Sequence, residues 1–175
     1  VAFIGSGYAR KGLATALRAM ALVGHNFQGI VAGKDRHPHG YTRLARQLGI
    51  EQRIQFLGSV ENVDQVYAAA DIVILPTLYD PFASVVLEGM ACGLPVITST
   101  KCGAVDIIEQ GKNGYIRDAL DHDGNAADLR QLAHTQVRTQ IGLAARTTVL
   151  PFTDSLMIEK LTTLYQTLLT TQQNS

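Results

Sequence analysis

The sequence predicts an α/β fold: a Rossmann-like open parallel sheet of six strands with helices on both faces. Three observations predict it. Short apolar runs alternate with longer stretches of helical periodicity. Several runs, such as Ile72-Val73-Ile74-Leu75, are apolar on both faces, as strands buried between helix layers must be. Gly, Pro or Asp bounds each run. The strands are read at 1–5, 29–33, 53–58, 71–76, 95–98 and 114–117. Between them, Leu13, Leu17 and Met20 recur on one helical face, as do Val63, Val66 and Tyr67. Two further helices are expected at 85–91 and 105–109. Beyond Arg117 the strands stop and helices follow at 125–149 and 153–171, separated at Pro151. The last of these carries Met157, Leu161, Leu164 and Leu168 along one stripe.

Composition narrows the function. The chain has 175 residues, enough for one domain with a real core. Its 15 basic and 15 acidic residues cancel, which gives no electrostatic footprint for nucleic acid. No apolar run is long enough to span a membrane, and the N-terminus lacks secretory order. The chain opens on a strand without Met, which suggests an excerpt of something longer. Cys92 and Cys102 are too few for a disulfide framework and match no metal-ligand spacing, so a reduced cytoplasmic setting is expected.

In such a sheet a ligand binds beyond the carboxyl ends of the strands, near the point where strand order reverses. The loop after the first strand reads Gly5-Ser6-Gly7-Tyr8-Ala9-Arg10-Lys11-Gly12. A dinucleotide fingerprint requires glycine where Arg10 stands, and a Walker loop requires Gly-Lys rather than Lys-Gly. What remains is a glycine-rich turn that carries two cations into a helix, a place for an anion or a solvated basic pair. The loop after the fourth strand runs through Asp80-Pro81-Phe82-Ala83-Ser84 into Glu88. Asp80 before Pro81 reads as a helix N-cap with proline at the first helical position. Glu88 would then lie roughly 10–12 Å further along the axis. Two carboxylates so separated cannot form one acid–base pair, but they can hold opposite ends of a nucleotide sugar, with phosphate at the helix N-terminus between them. Glu88 sits among Val85, Val86, Leu87 and Met90, so it needs a hydrogen-bonding partner, and a ribose diol is one. Asp80 as a plain cap and Glu88 paired with a basic side chain are the structural alternatives.

The span 76–97 contains an acid, seven residues and Glu, followed by Gly-Met-Ala-Cys-Gly-Leu-Pro-Val-Ile. It resembles the Glu-x7-Glu region of the retaining glycosyltransferases of family 4. Arg10-Lys11-Gly12 is similar to that family's phosphate loop, and Gly103 to the glycine after its next strand. The resemblance covers residues 1 to 169 or so. Within the family, the Ser6 loop and the Cys102-Gly103 segment look closest to the lipopolysaccharide core glucosyltransferases that act on the first heptose.

The resemblance implies one half of a two-domain GT-B enzyme, with residues 1–175 as the C-terminal, nucleotide-sugar-binding domain. It implies Lys11 and Arg10 on the diphosphate, Asp80 on the hydroxyls of the donor sugar, and Glu88 on the ribose. Backbone amides near Phe82, Ala83 and Ser84 would hold phosphate, Gly5 and Ser6 would border it, and the loop 58–61 would meet the base around Val60. The implied donor is a UDP-sugar, UDP-glucose by subfamily, used with retention and without an obligatory metal or other cofactor. The acceptor, a glycan or lipid-linked core, would bind the other domain, which would also make any contact with the inner face of the plasma membrane. This domain alone would then be nearly inactive. Two departures stand out: Ser6 occupies a position where many members carry arginine, and Asp80 is one methylene shorter than Glu.

Other residues fit no site. His37 and His39 flank Pro38 in what reads as a solvated turn, and no carboxylate or cysteine completes a metal set. Cys92 and Cys102 read as small packing residues. Competing functions are a nucleotide-sugar epimerase or a sugar phosphorylase of the same architecture, and a non-catalytic nucleotide-binding module. A redox Rossmann domain is disfavoured by the failed glycine fingerprint.

Overall fold

Each of the six apolar runs forms a strand. The computed structural model describes residues 1–173. Its strands are β1 (Ala2–Ile4), β2 (Gly29–Ala32), β3 (Ile54–Gly58), β4 (Val73–Leu75), β5 (Val96–Ser99) and β6 (Tyr115–Arg117). They lie in the order β3-β2-β1-β4-β5-β6, and all pairings are parallel. β1, β4 and β5 are buried along their whole length, which explains why their sequences lack alternation.

The helices are α1 (Tyr8–Lys11), α2 (Leu13–Leu22), α3 (Pro38–Gln47), α4 (Asp64–Ala68), α5 (Ser84–Ala91), α6 (His122–Leu132), α7 (Thr135–Val149) and α8 (Asp154–Gln173). Strand order reverses at β1, so right-handed crossovers carry α2 and α5 to opposite faces. α2 packs on α6 and α5 on α7, which completes the two outer layers. Phe3, Leu17, Ile74, Leu75, Met90 and Ile97 are fully enclosed between them.

Four elements differ from the sequence reading. His37, Pro38 and His39 are expected on a turn, but Pro38 opens α3, with His37 at its N-cap. Proline is suited to the first helical turn because the missing N–H has no helical partner there. The helix expected at 105–109 is a 3₁₀ turn over Gly103–Ile107. The continuous helix expected over 125–149 is two: Asp121 caps α6 by accepting from the Gly124 N–H at 2.8 Å, and extended backbone at His134 starts α7. Gly12 also divides the first helical run. Its φ of 80° is left-handed, and a Cβ there would run into the Pro76 carbonyl, so only glycine seats α1 and α2 against the end of β4. The stripe of Met157, Leu161, Leu164 and Leu168 on α8 is exposed. No helix among the described residues is long and apolar enough to cross a membrane.

Candidate functional site

The loops after β1, β4 and β5 are knitted together at the point where strand order reverses. The Arg10 carbonyl accepts from the Leu78 N–H at 2.8 Å and the Thr77 hydroxyl at 3.0 Å. The Asp80 N–H donates to the Lys101 carbonyl at 3.1 Å, and the Asp80 carbonyl accepts from the Gly103 N–H at 2.9 Å. Gly103 must be glycine for this, because a Cβ would occupy the Pro81 carbonyl. Asp80 is therefore a bridge residue paired with Cys102, not a helix cap. The N-cap of α5 is Ala83, with extended backbone and no side-chain cap. Long-range pairing with the loop after β5 overrides the local Asp-Pro signal.

This network gathers Lys11 and Arg10, expected on the diphosphate, and Asp80, expected on the donor sugar. Lys11 and Asp80 form a buried ion pair between Nζ and Oδ2, and their side chains are 11% and 8% exposed. Arg10 Nη1 lies 3.5 Å from the same Oδ2 and donates to the Tyr79 carbonyl at 2.8 Å. The Lys11 stem runs beside Gly5, about where a side chain on that glycine would stand. Two cations face one carboxylate, so the cluster keeps an excess of positive charge.

Beside it, α5 begins with unsatisfied donors. Among the described residues, the N–H groups of Phe82, Ala83, Ser84 and Val85 have no acceptor. Such a helix start presents free donors and positive dipole to an anion. Ser84 is exposed, Ala83 is buried, and Phe82 lines an apolar groove with Leu87 and α8. Gly5 and Ser6 are tied to the end of β2 and to the loop that follows it. The Gly5 N–H donates to the Ala32 carbonyl at 2.9 Å, and Ser6 Oγ accepts from the Lys34 N–H at 3.0 Å. Ser6 thus orders the loop after β2, a role that the sequence did not show.

Glu88 stands apart from this cluster. It lies about 6 Å along α5 from Ser84, a little over one turn. The 10–12 Å offset from Asp80 expected for a shared helix does not apply, because Asp80 precedes the helix. Glu88 is also exposed rather than enclosed by its apolar neighbours. Its partner is no basic group: the Tyr67 hydroxyl donates to Glu88 Oε2 at 2.6 Å. Burial, then the bond to Glu88, pushes the Tyr67 hydroxyl pKa upward. Tyr67 looked like part of a core stripe, and nothing in that spacing indicated a polar duty. Val60 is half-buried on the loop after β3 and faces a cavity of 610 Å³ with Leu57, Glu61 and Gln65.

Asp35 was also missed by the sequence reading. Oδ2 accepts from the Tyr8 N–H at 2.7 Å and so secures the start of α1, while Oδ1 accepts from the His37 N–H at 2.8 Å. His39 lies in α3, not a turn, and no group of three or more His, Cys, Asp or Glu among the described residues could hold a metal. Cys102 is buried as expected, whereas Cys92 is exposed just past α5.

An open parallel sheet with this strand order is the Rossmann-like architecture of the GT-B glycosyltransferases. Residues 1–148 match the Glycosyl transferases group 1 family, and the chain belongs to it. N-acetyl-alpha-D-glucosaminyl L-malate synthase of Bacillus anthracis is 32% identical over 72% of this chain and 32% of its own. Lipopolysaccharide glucosyltransferase WaaG of Escherichia coli K12 is 31% identical over 65% of this chain and 31% of its own. The chain thus spans about a third of the length of these curated relatives. The crystal structure of WaaG superposes with a TM-score of 0.79 at 27% identity, covering 87% of this chain and 43% of that one. Anabaena Alr3699/HepE, solved with UDP and glucose, superposes with a TM-score of 0.85 at 24% identity, covering 93% and 47%.

Proposed function

We propose that the chain is the donor-binding domain of a retaining family 4 glycosyltransferase that takes UDP-glucose and transfers glucose to a lipopolysaccharide core acceptor. The observation that carries this reading is the Arg10–Lys11–Asp80 cluster beside the free amides of Phe82 to Val85 at the strand-order reversal. WaaG, a lipopolysaccharide glucosyltransferase, and HepE, solved with UDP and glucose, support the choice of acceptor and donor. In this reading a second domain of the full enzyme supplies the acceptor site and the membrane contact, and the reaction takes place in the cytoplasm.

The chemistry is electrostatic. Cleavage of the anomeric bond leaves charge on the departing diphosphate, and preorganised donors stabilise it. An ammonium has three N–H groups. Lys11 commits one to Asp80 and keeps the others for phosphate oxygens, with Arg10 and the α5 amides alongside. Asp80 serves first to aim Lys11; its free oxygen is the candidate contact for a sugar hydroxyl. Glu88 takes the ribose, and the backbone at Val60 borders the base. No divalent metal is required in this scheme, so transfer by the full enzyme should persist in EDTA.

Calorimetric titration with UDP-glucose and UDP tests the reading. Saturable binding is expected, weakened about tenfold or more in Lys11→Ala, because hydrogen bonds to charged groups are the stronger kind. Absence of binding by the wild-type chain overturns it. The engagement of Asp80 by Lys11 and Arg10 favours one second reading, a nucleotide-binding module indifferent to the sugar. Equal affinities for UDP and UDP-glucose, together with equal effects of Asp80→Ala on both, would select that reading.

A further inference from the structure

We propose that Tyr67 is a positioning residue for Glu88, holding one carboxylate oxygen so that the other is presented to a vicinal diol of the nucleoside. The inference rests on the donor-site reading above and goes beyond it, since it assigns part of ribose recognition to α4. Tyr67 is 2% exposed, and its ring belongs to the core, so the phenol is fixed by packing. Its hydroxyl reaches across to α5 and donates to Glu88 Oε2 at 2.6 Å. Among the described residues the Glu88 side chain has no other hydrogen-bonding partner, which leaves Oε1 free.

An exposed glutamate on a helix samples several rotamers, and a ligand that needs one of them must order it on binding. A buried phenol anchored at one oxygen removes most of that freedom beforehand. The polarity of the bond is fixed as well. Burial and the Glu88 bond favour the protonated phenol, so Tyr67 remains the donor and Glu88 the acceptor. An ionised carboxylate only accepts, and a diol offers two hydroxyl donors. A nucleoside without one hydroxyl loses part of this match. The pairing therefore predicts discrimination between ribose and deoxyribose, not merely affinity.

The test compares UDP with 2′-deoxy-UDP by calorimetric titration of the wild-type chain, Tyr67→Phe, Glu88→Ala and the double variant. Tyr67→Phe keeps the ring and removes only the hydroxyl. The wild type is expected to prefer UDP. Tyr67→Phe should lose about three- to tenfold in affinity for UDP, the scale of one hydrogen bond, with 2′-deoxy-UDP unchanged. Glu88→Ala should abolish the preference, and the double variant should bind no worse than Glu88→Ala. If Tyr67→Phe retains the wild-type ratio, or weakens both ligands equally, the hydroxyl only staples α4 to α5 and the proposal is overturned. If the wild type binds both nucleotides equally and Lys11→Ala weakens both, the donor site stands and the Tyr67 role falls. If the wild type binds neither, both fall.

Discussion

Replacing Asp80 by alanine should destabilise the protein more than replacing Lys11 by methionine. With Asp80 gone, the ammonium of Lys11, whose side chain is only 11% exposed, is left inside the fold with no counter-charge. Removing one partner of a buried ion pair costs about 3–5 kcal/mol, because the remaining charge stays desolvated and unpaired. Each kcal/mol moves the Tm of a domain of this size by about 2–4 °C, so the midpoint should fall by about 6–20 °C. Lys11→Met leaves Asp80 with Arg10 Nη1 at 3.5 Å, and the half-exposed guanidinium can close on it. That variant should lose about half as much. The double variant, which removes both buried charges, should be more stable than Asp80→Ala alone. Urea denaturation followed by circular dichroism, extrapolated linearly to water, gives each free energy. The donor-site reading adds a second readout. A bound diphosphate supplies the missing negative charge, so UDP should raise the Tm of Asp80→Ala by more degrees than that of the wild type. Asp80→Ala within about 1 kcal/mol of wild type, at an unchanged m-value, would refute the claim that this pair is desolvated and interdependent.

Gly12→Ala should cost well over about 1 kcal/mol, since it adds a left-handed penalty to a collision with the Pro76 carbonyl; a urea midpoint close to wild type would contradict that geometry. Gly103→Ala should both destabilise the chain and weaken UDP binding, because the added Cβ displaces the Pro81 carbonyl next to Asp80; loss of one without the other would separate the loop from the site. Stability should decline as pH rises above about 10, the ordinary tyrosine range. Burial raises the pKa of the Tyr8, Tyr67 and Tyr115 hydroxyls, so in that range the unfolded chain gives up protons that the native state retains. Tyr67→Phe should flatten the decline, and a denaturation midpoint indifferent to alkaline pH would refute it. Arg117→Ala should cost about 3 kcal/mol or more by stranding the buried Asp128, whose Oδ2 accepts from Arg117 Nε at 2.7 Å; an unchanged urea midpoint would show that the pair contributes little.

What the sequence made legible follows from how far apart the interacting residues lie. A strand buried on both faces must be apolar throughout, so Ile72-Val73-Ile74-Leu75 and its counterparts could be read locally, and with them the loops where a ligand would sit. α3 was lost because Pro38-His39-Gly40 has the composition of a turn, whereas proline here initiates a helix. The break between α6 and α7 carries neither Gly nor Pro, and extended backbone at His134 makes it. The candidate site shows the same limit more sharply. Arg10, Lys11, Asp80 and Glu88 could be singled out as chemistry-bearing residues in the right loops, but their partners could not. Lys11 meets Asp80 across 69 residues of chain, and Asp80 leaves its apparent cap position because the loop after β5 pairs with its backbone. Tyr67 reaches Glu88 across 21 residues, from a stripe that spacing alone assigns to the core. Local pattern places a residue on an element and on one of its faces; the packing of distant elements decides which polar atoms then meet. The carboxylates show the result: Asp80, expected at the sugar, is bound to the cations, while Glu88, expected to be enclosed, is exposed and held at one oxygen. In the free protein the cations proposed to meet phosphate are therefore already neutralised in part, and the carboxylate proposed to meet ribose is already held at one oxygen. On that proposal a nucleotide adds to the first arrangement through the N–H groups that Lys11 has left, and uses the second as it stands.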